Sequence, residues 1–161
     1  MFNVRESLKT GLSFGLTSGV ITTLGLMVGL HSGTQSKLVV IGGILTIAVA
    51  DALSDALGIH VAEEGENKHT NKEIWESTIT TFLAKFICAL VFIAPILIFE
   101  LSTAIIISIV WGFLVVGYLS YKLAKTQRTA TWKVIGEHLL ILTAVIIITH
   151  YVGDWVAATF G

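Results

Sequence analysis

Two aspartates lie inside a long apolar stretch of this sequence, in the segment ADALSDALG that spans residues 50–58. Asp51 and Asp55 are one helical turn apart, about 6 Å along a helix axis, so their carboxylates would share one face. Carboxylates in hydrocarbon are costly, and they normally mark an ion pathway or a buried pair. We expect Lys85 to lie near a membrane surface, reached by its long side chain, and therefore not to pair with them. This lack of a partner favours an imported cation over the alternative, a structural pair of hydrogen-bonded aspartates.

Further oxygen donors accompany these aspartates. Ser18 lies in the preceding apolar stretch. Five glutamates fall within residues 63–77, three of them in the first four positions, and we predict this segment to form an acidic cytoplasmic loop. Carboxylates at this density attract divalent cations, although a run of charges is also typical of a solvated surface. The predicted metal-binding residues are Asp51, Asp55, Ser18, Glu63, Glu64 and Glu66.

The composition is that of an integral membrane protein. Of the 161 residues, 54% are hydrophobic and 13% are charged, and the mean hydropathy is +0.84, well above that of soluble domains. A net charge of −1 gives no basic surface for nucleic acid. Nucleotide-binding glycine motifs are absent from the sequence, and the single Cys88 is interpreted as a small packing residue. We therefore expect no cofactor and no nucleic-acid partner.

Five segments are apolar enough and long enough, at about 20 residues, to cross a bilayer. Because only helices and closed barrels satisfy the backbone in lipid, the sequence predicts an all-α integral membrane fold with one domain over residues 1–161. The predicted spans are 12–30, 38–62, 79–99, 104–121 and 134–155.

The distribution of lysine and arginine predicts the orientation. Short loops rich in these residues stay on the cytoplasmic side, so the N-terminus should be cytoplasmic and the C-terminus outside, in the cell membrane rather than an organelle. Only Lys37 falls on the outer side. The predicted cytoplasmic residues are Arg5, Lys9, Lys68, Lys72, Lys122, Lys125, Arg128 and Lys133.

Glycines recur along the first span within an arc of about 120° at 100° per residue. Small residues at this spacing allow close helix packing in lipid. The glycines are Gly11, Gly15, Gly19, Gly25, Gly29 and Gly33. A complementary stripe is expected on the second span, formed by Ala48, Asp51, Ser54, Asp55, Gly58 and Ala62.

Four short motifs resemble the vacuolar iron transporter family. These are FGLTSGVITT at 14–23, ADALSDALG at 50–58, APIL at 94–97 and YVG at 151–153. The resemblance implies a five-helix homodimer that moves Fe²⁺ or Mn²⁺ out of the cytosol in exchange for protons. The divalent metal is then the substrate, and protons, lipid and a second copy of the chain are the partners.

The sequence also departs from the pattern of that family. Ser18 stands where the family usually has an aspartate, Asp55 where it has a metal-binding methionine, and Ile59 where it has an acidic residue. The cytoplasmic metal-binding domain of the family is reduced here to residues 63–77. The resemblance therefore implies an altered set of ligands.

Two other functions are alternatives to metal transport. A Mg²⁺-dependent membrane phosphotransferase also uses an Asp-x-x-x-Asp pair, but such enzymes carry an upstream Asp-x-x-Asp-Gly-x-x-Ala-Arg pattern that this sequence lacks. A membrane scaffold or accessory subunit that transports nothing is the second alternative. We therefore predict a transporter and not an enzyme.

Overall fold

The structure, a computed structural model, describes residues 4–127 and 129–161, and every regular element in them is a helix. Five helical segments are long and apolar enough to cross a membrane, which confirms the predicted helical class and the number of spans. Arg128 and the side chain of Arg5, used above for orientation, lie outside what the structure describes. The helices are α1 (Val4–Thr34), α2 (Lys37–Glu66), α3 (Asn71–Val91), α4 (Ile93–Ile98), α5 (Leu101–Gln127) and α6 (Thr131–Phe160).

The helices extend beyond the apolar windows. The predicted acidic loop over residues 63–77 is wrong, because α2 continues to Glu66, α3 begins at Asn71, and only residues 67–70 connect them. Asn67 ends α2 in the left-handed conformation, with φ 53°. Thr70 then starts α3 with a capping box, in which its backbone N–H donates to Glu73 (2.8 Å) and its hydroxyl accepts from the backbone N–H of Glu73 (3.4 Å). Such caps satisfy helix N–H groups that lack a backbone partner, so polar residues can begin this span.

The third span is divided into two helices. α3 ends at Val91, and α4 begins at Ile93. Pro95 has no N–H to donate to the carbonyl of Val91 four residues earlier, and its ring crowds that carbonyl. This explains the break within a span that the hydropathy predicts to be continuous.

α1 lies at the centre of the bundle and packs against α2, α3, α5 and α6. A Cβ added at Gly15 would lie 2.7 Å from the carbonyl oxygen of Thr81 on α3, and one added at Gly29 would lie 3.2 Å from that of Thr149 on α6. The glycines of α1 therefore allow close packing, as predicted. The expected partner was wrong, because the first three glycines face α3 and the last three face α6. All of these contacts lie within one chain.

The face that α2 buries overlaps the predicted stripe only in part, at Ala48 and at the half-buried Asp51 and Asp55. Its buried residues are Val40, Ile44, Ala48, Ala52, Ala56 and Glu63, whereas Ser54, Gly58 and Ala62 are exposed. Exposed small residues recur at every fourth position on the opposite side of the helix, and a Cβ added at Gly42 or Gly58 would meet nothing within 4 Å. We call this set the α2 outer stripe: Gly42, Thr46, Ala50, Ser54, Gly58 and Ala62.

Hydrogen bonds define the two ends of the bundle. At the end with the start of α1 and the α2–α3 connection, Ser7 donates to Glu76 across 3.2 Å; this is the amino-terminal end. At the opposite end, Lys37 donates to the carbonyl oxygen of Phe99 across 3.2 Å. The aspartates of α2 lie between these two ends.

Candidate intramembrane cation site

Asp51 and Asp55 lie near the middle of α2, which has 30 residues. Their side chains are 29% and 22% exposed. At 100° per residue, each lies about 60° around the helix from a member of the α2 outer stripe, namely Ser54 and Gly58. Both carboxylates therefore lie on the border between the buried face and the exposed stripe.

Lys85 is the partner that the sequence interpretation missed. Its Nζ lies 2.6 Å from Oδ2 of Asp51 and also contacts Oδ2 of Asp55, and its side chain is only 2% exposed. The prediction that Lys85 reaches the membrane surface is wrong. Asp51 comes fifteen residues before the end of α2 and Lys85 fourteen residues after the start of α3. Because these helices are connected by a short turn, the two residues meet at one depth.

Ser18 brings α1 into the same cluster. Its hydroxyl donates to Oδ2 of Asp55 across 2.6 Å, and the ammonium of Lys85 donates to its Oγ across 2.9 Å. Gly15 and Gly19 on either side of Ser18 are in close contact with α3, which keeps the hydroxyl near Lys85. The structure thus brings Ser18, Asp51 and Asp55 together around Lys85, and their role as metal ligands stays a prediction. We call these three residues and Lys85 the Lys85 cluster.

The Lys85 cluster carries two carboxylates and one ammonium, which leaves one formal negative charge when all three are ionised. Buried charges in a span are tolerated when they pair with one another. Oδ2 of Asp51 is buried, and Lys85 is its ion-pair partner across 2.6 Å. The ammonium lies on the buried side and the carboxylates on the more exposed side. A cation arriving at the carboxylates would therefore compete with one that is already in place.

The three glutamates of the predicted site do not join this cluster. Glu63 is buried and accepts a hydrogen bond from the hydroxyl of Ser77, so it does not lie in an exposed acidic loop as predicted. Glu64 and Glu66 are exposed, and Glu66 lies 3.6 Å from Lys68. Glu63 is eight residues from Asp55, about 12 Å along the helix. Within residues 4–127 and 129–161, no three histidine, cysteine or acidic side chains are placed to hold a metal ion.

A second polar cluster, which we did not predict, lies at the opposite end of the bundle from the N-terminus. Asp154 on α6 accepts a hydrogen bond from Ser32 on α1, and its other oxygen lies 3.5 Å from Nε2 of His150. Nearby, the backbones of α1 and α6 are in close contact at Gly29 and Gly153. The four-residue spacing of His150 and Asp154 was the available signal, but a single-helix pattern gives no sign of Ser32. This cluster joins α1 to α6, away from the aspartates of α2.

Lys85 and the aspartates thus form a compact polar cluster contributed by α1, α2 and α3 in an otherwise apolar bundle. No protein-family model, curated protein or solved structure matches this chain. The resemblance to the vacuolar iron transporter family therefore stays a prediction that rests on the four short motifs.

Proposed function

We propose that this protein transports divalent metal cations, Fe²⁺ or Mn²⁺, out of the cytosol in exchange for protons. The observation that carries the proposal is the placement of Asp51 and Asp55, which lie one turn apart, in the middle of a membrane span, with partly exposed carboxylates. Ionisable residues at such depth are typical of ion pathways. Ser18 adds a neutral oxygen within hydrogen-bonding distance of Asp55.

The donor atoms favour hard or borderline cations. Carboxylate and hydroxyl oxygens suit Mn²⁺, Mg²⁺ and Ca²⁺, whereas thioether and thiolate sulfur favours softer metals. Asp51, Asp55 and Ser18 supply only oxygen, with Asp55 at the position where the family it resembles has a methionine. We therefore propose that Mn²⁺ is handled at least as well as Fe²⁺.

Glu64 and Glu66 support delivery of the metal on the cytoplasmic side. Both are exposed at the amino-terminal end of the bundle, where negative charge raises the local concentration of cations. Lys68 partly offsets this charge through its contact with Glu66. In this proposal the two glutamates attract metal, and Glu63 stabilises the packing of α2 against α3.

We further propose that two copies of the chain associate through the α2 outer stripe. The glycines of α1 already pack against α3 and α6 within the chain, whereas all six residues of the α2 outer stripe are exposed. Small residues four apart are the usual surface for close packing of helices in lipid. Because Asp51 and Asp55 border this stripe, such a dimer would cover their exposed sides and enclose two cation sites near one interface.

A scaffold that transports nothing is the second candidate, and Lys85 favours it. A buried lysine paired with two aspartates explains why carboxylates lie in this span without any imported ion. The two candidates differ in one consequence. If the cluster only stabilises the bundle, replacing a carboxylate should lower the stability of the protein. In that case the wild-type protein should itself carry no metal flux.

Metal uptake into proteoliposomes distinguishes the candidates. We expect uptake of Mn²⁺ and Fe²⁺ by the wild-type protein, accompanied by proton movement in the opposite direction, and loss of uptake in Asp51→Asn and Asp55→Asn. Asp154→Asn is the matched control, since Asp154 lies on α6 with Ser32 and His150. No uptake by the wild type would support the scaffold, and conversion of a phospholipid substrate in the same vesicles would support the phosphotransferase.

A further inference from the structure

We infer that Lys85 is a tethered cation that occupies the candidate site until a divalent ion displaces it, and that it thereby excludes monovalent cations. The inference rests on the proposed function and adds a residue that determines selectivity. Its basis is the position of the Lys85 ammonium, which lies against Oδ2 of both Asp51 and Asp55 and against the hydroxyl of Ser18. These are the oxygens that an incoming ion would need.

The ammonium and the carboxylates differ in accessibility. The side chain of Lys85 is 2% exposed, whereas those of Asp51 and Asp55 are 29% and 22% exposed. The carboxylates therefore lie nearer to the α2 outer stripe than the ammonium does, although Oδ2 of Asp51 is itself buried. In the proposed dimer, an ion enclosed at the interface would meet the carboxylates first, with the ammonium behind them. Lys85 does not block the approach of the ion, and it competes for the same oxygens.

The charge of the incoming ion decides this competition. Lys85 already supplies one positive charge at very short range, and its attachment to α3 gives it a high effective concentration. A monovalent ion such as Na⁺ would replace one charge with an equal one and would lose its own hydration and freedom of movement. Replacing the ammonium of Lys85 by Na⁺ therefore gains nothing in Coulomb energy. A divalent ion doubles the attraction to both carboxylates, and this gain can exceed the cost of moving the lysine.

Lys85 has one hydrogen-bond acceptor besides the two carboxylates. Its side chain of four methylene groups lies between α1 and α2, and its ammonium also donates to Oγ of Ser18 across 2.9 Å, an acceptor that is not a carboxylate. Lys85 could therefore keep one hydrogen bond while its contacts with Asp51 and Asp55 are broken.

Three variants test the inference in detergent-solubilised protein and in proteoliposomes. Lys85→Met keeps the length of the side chain and removes the competing charge, Lys85→Arg keeps the charge, and Lys85→Met with Asp51→Asn restores the single negative charge without a tethered cation. We would measure binding of ⁵⁴Mn²⁺ and ²²Na⁺ at equilibrium, and uptake of Mn²⁺ with and without excess Na⁺.

In the wild type, we expect Mn²⁺ binding that excess Na⁺ hardly affects. In Lys85→Met, we expect Mn²⁺ to bind about tenfold more tightly or better and Na⁺ to become an effective competitor. Lys85→Arg should still exclude Na⁺. If Lys85→Met does not fold, the double variant takes its place, and it should bind Na⁺ where the wild type does not.

The outcomes separate the inference from the proposed function. Unchanged selectivity between Mn²⁺ and Na⁺ in Lys85→Met and in the double variant would overturn the role of Lys85 and leave transport standing. If Mn²⁺ and Na⁺ binding change as expected but neither the wild type nor any variant takes up Mn²⁺, transport would be overturned and competition between Lys85 and the ion would be supported. A wild-type protein that binds no divalent cation at all would overturn both.

Discussion

The ammonium nitrogen of Lys85 lies 2.6 Å from Oδ2 of Asp51 and joins α3 to α2 in the middle of the bundle. Breaking a buried ion pair by removing one partner typically costs about 3–5 kcal/mol, because the other charge is left without compensation. We therefore expect Lys85→Met to lower the thermal stability of the solubilised protein in metal-free buffer. Lys122→Met is the control, since Lys122 is exposed beside Tyr118, and it should change stability by at most about 0.5 kcal/mol.

The same variant should regain stability when a divalent cation is added. A ligand that binds only the folded state stabilises it by about 2.7 kcal/mol at a hundredfold excess over its dissociation constant. We expect Mn²⁺ to raise the melting temperature of Lys85→Met by more than that of the wild type, in which the lysine competes. Equal increases in the two proteins would contradict competition between Lys85 and the metal.

Lys85 also shows where sequence interpretation succeeded and where it failed. The number of spans follows from apolar windows and is confirmed. The windows begin the third span at residue 79, whereas α3 begins at Asn71. Its first two turns are polar, but they are held by the Thr70 cap and by the burial of Ser77. Lys85 lies two further turns along α3, about 21 Å from the start of the helix. It is therefore far from the end of the bundle where that helix begins.

Tertiary contacts account for the other errors. The arc of glycines predicts that α1 packs closely on a neighbour, and this is confirmed. The identity of the neighbour depends on how helices are arranged around α1, which the periodicity of one helix does not contain. Glu63 illustrates the same point. Of Glu63, Glu64 and Glu66, only Glu63 faces α3, where it accepts a hydrogen bond from Ser77.

Close packing of α1 on α3 predicts a large effect of a small substitution. A Cβ at Gly15 would lie 2.7 Å from the carbonyl oxygen of Thr81 and 2.9 Å from Cβ of Ala84, so Gly15→Ala should force the helices apart. Overpacking of this kind costs about 1–3 kcal/mol. We expect a lower melting temperature in detergent. Gly136→Ala is the matched control, because an added Cβ there meets nothing within 4 Å.

The α2 outer stripe predicts a variant that separates copies without unfolding them. Gly58→Leu adds a large side chain where the single chain has open space, so the monomer should remain folded. If two copies pack through this stripe, the substitution should prevent close approach of the helices. We expect sedimentation in detergent to change from dimer to monomer. Gly136→Leu, also in open space, should leave the dimer intact, and dimeric Gly58→Leu would exclude this interface.

Glu63 and Glu64 are adjacent in sequence but should respond differently to substitution. Glu63→Ala removes a buried acceptor of the Ser77 hydroxyl. That hydroxyl keeps the carbonyl oxygens of Glu73 and Ile74 as acceptors, so we expect a lower melting temperature from the loss of one hydrogen bond, about 0.5–1.5 kcal/mol. Glu64→Ala removes an exposed charge and should not change the melting temperature. It should instead lower the initial rate of metal uptake at low metal concentration and low ionic strength, where attraction between exposed charges is strongest. Equal losses of stability in both variants would contradict the division of roles.

The replacement of sulfur by oxygen at position 55 gives the last prediction. Asp51, Asp55 and Ser18 offer only oxygen, and Asp55→Met introduces a soft thioether while removing one negative charge. Soft ligands favour later transition metals over Mn²⁺. We therefore expect competition assays to show that Asp55→Met shifts preference from Mn²⁺ toward Fe²⁺ or Co²⁺. Asp55→Asn is the control, because it removes the same charge without adding sulfur. A wild-type preference for Fe²⁺ that neither substitution alters would mean that Asp55 does not bind the metal and serves only to hold Lys85.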